Sequence, residues 1–154
     1  MQATRSRTLE LVEGLDQSTL DWEGPDGLDN PIGTLLYHIA LAEMSWLYLD
    51  ILEETFPPEV KDDFKFDMVD SQNEITRVAN VSLEEHLGRL ARSRSLFLNA
   101  FHKITLDDWR RSRNPEDVEY KVTPEWAVFH LVEHEAGHAF QISSIKRRAH
   151  RFLR

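Results

Sequence analysis

His130, His134 and His138 stand at four-residue steps in a segment that opens on Thr123-Pro124-Glu125. A capping threonine, a proline at the first helical position and an acid in the first turn mark the start of an α-helix. The pattern carries this helix to about His150. Each step of four turns a helix by only about 40°, so the three imidazoles share one stripe with Ala127, Leu131, Gln141 and Ile145. That stripe reads as a buried face. Inward polar groups are costly unless they are satisfied, so any fold of this chain must give these rings partners. A metal ion is one such partner.

Three further helical segments accompany it. Residues 4–15 place Leu9, Val12 and Leu15 on one face, and Gly14 with the stretch through Pro25-Asp26-Gly27 ends them. The second segment begins at Asn30-Pro31, with Asn as the cap and Pro at the first position. It runs to about Glu54, ahead of Phe56-Pro57-Pro58. It is apolar around much of its circumference and so is expected to be the most buried. The third starts at Ser82, with Glu85 completing a capping box. Leu83, Leu87, Leu90, Phe97, Phe101 and Ile104 then recur at helical spacing, interrupted by Arg94. The spacing predicts a helical turn or two within 67–78 and another at 107–111, with 117–122 extended or loop. No set of strands long enough for a sheet is present. The expected architecture is an all-α four-helix bundle forming one domain over residues 1–154.

Bulk properties narrow the function. A chain of 154 residues fits a single core. With no cysteine it has neither disulfides nor a thiolate of its own. A net charge of −9 repels phosphate backbones, which argues against nucleic acid; the partner expected is a small-molecule substrate. No apolar run is long enough to span a membrane. The first ten residues are polar and show no secretory h-region, so a cytoplasmic location is expected. The acidic stretches 53–70 and 107–119 read as solvated surface, as do the basic stretches 89–94, 110–113 and 146–154.

Two histidines at i and i+4 can hold one ion from the same side of a helix, but His130 and His138 are about 12 Å apart along the axis. One pair on the fourth helix therefore binds, and another helix supplies the third ligand. His38 is the best donor, since Thr34, Leu41, Ala42 and Ser45 around it are mostly small and leave room. His86, His102 and His150 lie on mixed or polar segments and read as surface residues. The opposite side of the fourth helix carries Phe129, Val132, Ala136, Ala139 and Phe140. Such a face is expected to pack on residues 56–81 or on a second copy, and a homodimer is preferred.

His134-Glu135-Ala136-Gly137-His138 also matches H-E-x-x-H, in which two histidines hold zinc and the glutamate serves as general base. The context opposes a protease. No H-x-x-G-x-x-H extension follows, the only later ligand-type side chain is His150, and no sheet edge is evident to hold a peptide.

The stretch Asn30-Pro31-Ile32-Gly33-Thr34-Leu35-Leu36-Tyr37-His38-Ile39-Ala40, followed by Glu43 and Trp46, resembles the second helix of the DinB-like superfamily. Residues 126–142, with His130, Glu133-His134-Glu135, His138, Gln141 and Ile142, resemble its last, metal-bearing helix. The resemblance implies a four-helix bundle with one metal, often zinc or nickel, held at the positions of His38, His134 and His138. Relatives with assigned activities are thiol-dependent transferases or isomerases using bacillithiol or mycothiol, and dimers are common. Relatives often read His-His-Arg-Gly-Gln where this chain reads Gly137-His138-Ala139-Phe140-Gln141, so the last ligand and the glutamine remain while the other family residues are absent.

The expected function is therefore that of a metal-dependent enzyme of this type. Three neutral imidazoles leave a fourth position for water or a thiolate. Any thiolate must come from a low-molecular-weight cosubstrate. Arg94 is a candidate contact for that molecule's carboxylates, against a surface or capping role; Glu135 is a candidate base, against a plain helix-surface glutamate; and His130 and Gln141 are candidates to contact substrate or orient ligands. The rival expectation is a non-catalytic, metal-stabilised bundle acting as a binding or stress-response module. In that case Glu43 or His130 would close the coordination sphere.

Overall fold

A computed structural model describes residues 1–115 and 119–153. The elements in order are α1 (Gln2–Val12), α2 (Gln17–Leu20), α3 (Ile32–Ser45), a π-helical segment (Trp46–Ile51), α4 (Pro58–Asp63), α5 (Leu83–Phe101), α6 (Leu106–Arg110) and α7 (Pro124–Phe152). The fold is all-α. Among the described residues the only β pairings are two isolated bridges, Val69 with Ile75 and Arg113 with Val122. No helix is long and apolar enough to cross a membrane. Helical elements outnumber the four expected, because short helices fill the connections between α1, α3, α5 and α7, the four longest.

α3 is the centre of the molecule, packed against both α5 and α7, while α1 lies on α7. Twelve of its fourteen residues are buried, and the exceptions are His38 and Ser45. An apolar helix enclosed on nearly every side thus leaves a histidine as its main opening. The core continues from Val12 and Leu20 through Ile32, Leu35, Leu36 and Ile39 to Leu90, Ile142 and Ile145. A second cluster joins Met44, Leu47, Ile51, Phe97 and Leu131 at the other end. The loop after α4 is pinned to α3 by two polar side chains. Thr34 Oγ1 donates to Val78 O (3.1 Å) and accepts from Val78 N (3.0 Å). The Tyr37 hydroxyl donates to Phe66 O (3.2 Å) and accepts from Phe66 N (2.9 Å). These bonds satisfy backbone groups of a connection that has little regular structure of its own.

The helix starts behave as their residues dictate at two places. Ser82 Oγ accepts from Glu85 N (3.2 Å) and Thr123 Oγ1 from Trp126 N (3.1 Å). The Glu85 side chain does not close the box on Ser82 but binds Arg89 (3.0 Å). At α3 the cap is Pro31 and no side chain caps the helix, so Asn30 stands one residue outside. The first helix ends at Val12, and the helical turn expected within 67–78 is instead α4, which begins nine residues earlier at Pro58. Residues 67–78 form a turn closed by the Val69–Ile75 bridge, with Asn73 at a φ of 63°. The turn at 107–111 is α6, started by Thr105 Oγ1 accepting from Asp108 N. Of 117–122, residues 117 and 118 lie outside the described ones, and Val122 pairs with Arg113.

Candidate metal centre

His38 projects from the middle of α3, and His134 and His138 project one turn apart from α7. Their Nε2 atoms converge. His38 Nε2 lies 3.1 Å from His134 Nε2, and His138 Nε2 lies 3.2 Å from the same atom. One nitrogen from each ring falls in a group no more than 4.8 Å across, and no fourth His, Cys, Asp or Glu joins it among the described residues. Nitrogens bound at about 2.0–2.1 Å around one tetrahedral ion would be a little over 3 Å apart, so these spacings suit such an ion.

The protonation of the rings suits it too. Burial pushes His38 down to about 4, with the charge of His138 adding to the effect. Burial pushes His134 down to about 3, assisted by His138, His38 and His130. His138 is also lowered by burial, against the opposing hydrogen bond from Gln141. The cluster is therefore neutral at pH 7, with lone pairs available for a cation. Gln141 Oε1 lies 2.8 Å from His138 Nδ1. A proton on that Nδ1 donates to the amide oxygen and leaves the Nε2 lone pair facing the cluster. The Nδ1 atoms of His38 and His134 are buried with no partner among the described protein groups, which again leaves Nε2 as the working nitrogen of each ring.

The other expected site residues are placed differently. His130 shares the α7 stripe but not the cluster. It stacks on Trp126 (centroids 4.9 Å, planes 8° apart) and meets the Trp46 edge at 5.1 Å. Burial lowers its pKa as well. Gln141 is exposed and reaches the centre only through His138. Arg94 and Glu135 lie inside the bundle and are not members of the histidine cluster. Arg94 binds Glu43 through Nε and Glu135 through Nη2 (2.9 Å), and its Nη1 donates to Met1 O (3.3 Å). Glu135 is only 3 % exposed and also accepts from Arg5 Nε (2.7 Å). Arg5 Nη2 in turn reaches Glu43 (3.3 Å), and Ser93 Oγ donates to Glu43 as well (2.9 Å). Arg94 therefore has no guanidinium edge directed at a cosubstrate, and both oxygens of Glu135 are held by arginines. Neither the anion contact nor the base expected of these residues is supported by this placement.

The four charges form a closed ring in which each arginine touches both glutamates. One member comes from each of α1, α3, α5 and α7. The sequence reading missed Arg5 altogether, though it shares a helical face with Thr8 and Val12, both fully buried. It also placed His86 at the surface. His86 is 1 % exposed, because Gly33 leaves a gap on α3 that the ring fills, and a Cβ at Gly33 would stand 3.0 Å from His86 Nε2.

A family model of the DinB superfamily matches residues 1–142. The chain belongs to the DinB superfamily. A comparison with curated proteins finds no significant match. The DinB match spans all three histidines and all four members of the charged ring.

The outer side of α7 is largely open to solvent at its aromatic positions. Phe129 and Phe140 are 59 % and 69 % exposed and Ala136 is exposed, whereas Ala139 belongs to the core.

Proposed function

We propose that this DinB protein is a metal-dependent enzyme in which His38, His134 and His138 hold one divalent ion, zinc or nickel. The substrates are an electrophilic small molecule and water or a low-molecular-weight thiol. The convergence of three neutral Nε2 atoms, with no fourth His, Cys, Asp or Glu beside them among the described residues, carries this reading. An ion bound there would lower the pKa of a water or thiol in its remaining position and so supply a nucleophile at neutral pH.

The chain's own residues have separate tasks. Gln141 orients His138. The two tryptophans hold His130 away from the cluster, and the arginines hold Glu43, so neither closes the sphere. That favours an accessible site over a purely structural one. With no cysteine in the chain, any thiol is a cosubstrate, which fits the reducing cytoplasm where such thiols are kept. The exposed pair Phe129 and Phe140 supports a homodimer through the outer face of α7.

The test is elemental analysis of untagged protein, for wild type beside His38→Ala and His138→Ala. About one equivalent of metal, lost in both variants, supports the reading and justifies a screen of electrophiles with and without low-molecular-weight thiols. Metal bound equally in all three moves the ligands elsewhere. Wild type that stays metal-free after reconstitution leaves a histidine-lined binding module.

A further inference from the structure

We infer that a single internal water links His134 to the ring of Arg5, Glu43, Arg94 and Glu135, and that this water fixes the tautomer in which His134 turns its Nε2 toward His38 and His138. Its first support is the orphan Nδ1 of His134. The Nε2 of that ring is engaged by the other two histidines, and the remaining polar atom is buried without a protein partner. A buried polar group left unsatisfied is costly, so such an atom calls for a partner.

A second, independent observation lies beside it. A cavity of about 10 Å³ is lined by His134 together with Arg5, Glu43, Arg94 and Glu135, and closed by Ile39 and Leu131. That is the room one water needs, and a water is retained where it finds two to four polar partners. The ring has acceptor capacity to offer. A carboxylate accepts about four hydrogen bonds. Glu135 receives one from each arginine, so it keeps free lone pairs, whereas Glu43 also receives Ser93. The water therefore accepts from His134 Nδ1–H and donates to a ring carboxylate, with Glu135 the better provided.

The two α7 histidines are then held by different devices. His138 is oriented by a direct amide contact to Gln141. His134 is oriented through a solvent molecule by charges drawn from four helices. Glu135 and its ring partners become positioning residues for the centre. This effect on the centre rests on the metal reading above, whereas the water and the tautomer do not.

The test begins with metal-free wild type. A crystal structure resolving ordered solvent should show one water within hydrogen-bonding distance of His134 Nδ1 and a ring carboxylate. Long-range proton–nitrogen spectra of histidine-labelled protein should show Nδ1 of His134 protonated. A dry cavity, or a proton on Nε2 instead, overturns the inference. In E135Q the His134 signal should shift toward a tautomer mixture and zinc affinity should fall about tenfold, the lower end of what loss of such a partner costs. An unchanged tautomer and affinity in folded E135Q would also overturn it. Should E135Q fail to fold, the wild-type water and tautomer decide. A wild type that holds the water but binds no zinc refutes the metal reading alone.

Discussion

Arg5 and Glu135 are 130 residues apart in the chain and 2.7 Å apart in the fold. Their contact joins the first helix to the last and closes a ring of two positive and two negative side chains. Charges removed from water are tolerated only when matched, and breaking a buried pair costs about 3–5 kcal/mol because the survivor stays buried. Arg5→Ala leaves two carboxylates facing one guanidinium. The variant should lose about that much stability in urea unfolding. A double variant Arg5→Met with Glu135→Leu should lose less than the sum of the singles, since it removes one charge of each sign. Additive losses would contradict a coupled ring.

Gln141 touches no other expected ligand, yet it controls one. Gln141→Ala should weaken zinc binding about tenfold, by freeing the His138 ring, with little change in unfolding free energy because the side chain is exposed. Competition against a calibrated chelator would measure this. Unaltered affinity would assign the amide no part in orienting His138.

Acid should unfold the metal-free protein in a definite window. His38 and His86 are held near about 4 and His134 near about 3, all by burial, against an ordinary value of 6.5. Above pH 6.5 the folded and unfolded chains are both neutral at these positions. As the pH falls below 6.5 the unfolded chain takes up protons that the folded one refuses, so stability declines until about pH 4. Each histidine contributes a slope of up to about 1.4 kcal/mol per pH unit. The lowered carboxyl groups Asp63 and Asp108 act only below the ordinary carboxylate value of 3.8, outside this window. Urea midpoints constant from pH 7 to 4.5 would show that these rings are not buried neutral.

The outer face of α7 makes a prediction about assembly. If Phe129 and Phe140 meet a second copy, sedimentation of wild type should give a dimer that dissociates in Phe129→Glu with Phe140→Glu. Monomer mass for wild type across a concentration series would remove the homodimer.

Much of this was legible because it is local. The caps at Ser82 and Thr123, the α5 stripe and the histidine spacing on α7 depend on neighbours within a few turns. The pairing of His38 with α7 came from small residues around it and from a family resemblance. What escaped was long-range. Arg5, Glu43, Arg94 and Glu135 each sit where a helix should be apolar, and singly each looks like an interruption or a surface charge. Only their sum, zero, hints that they belong together. His86 escaped for a similar reason, since its burial depends on the missing side chain of Gly33 fifty-three positions away.

The ring also orders events in time. Chains emerge from the ribosome with their first residues leading, and a domain generally folds as a unit. Arg5, Glu43 and Arg94 must then wait, with one surplus positive charge, for Glu135. That residue arrives on the same helix as His134 and His138. The final neutralisation of the interior and the completion of the histidine cluster therefore coincide, since a chain that stops before α7 lacks both that carboxylate and two of the three clustered histidines.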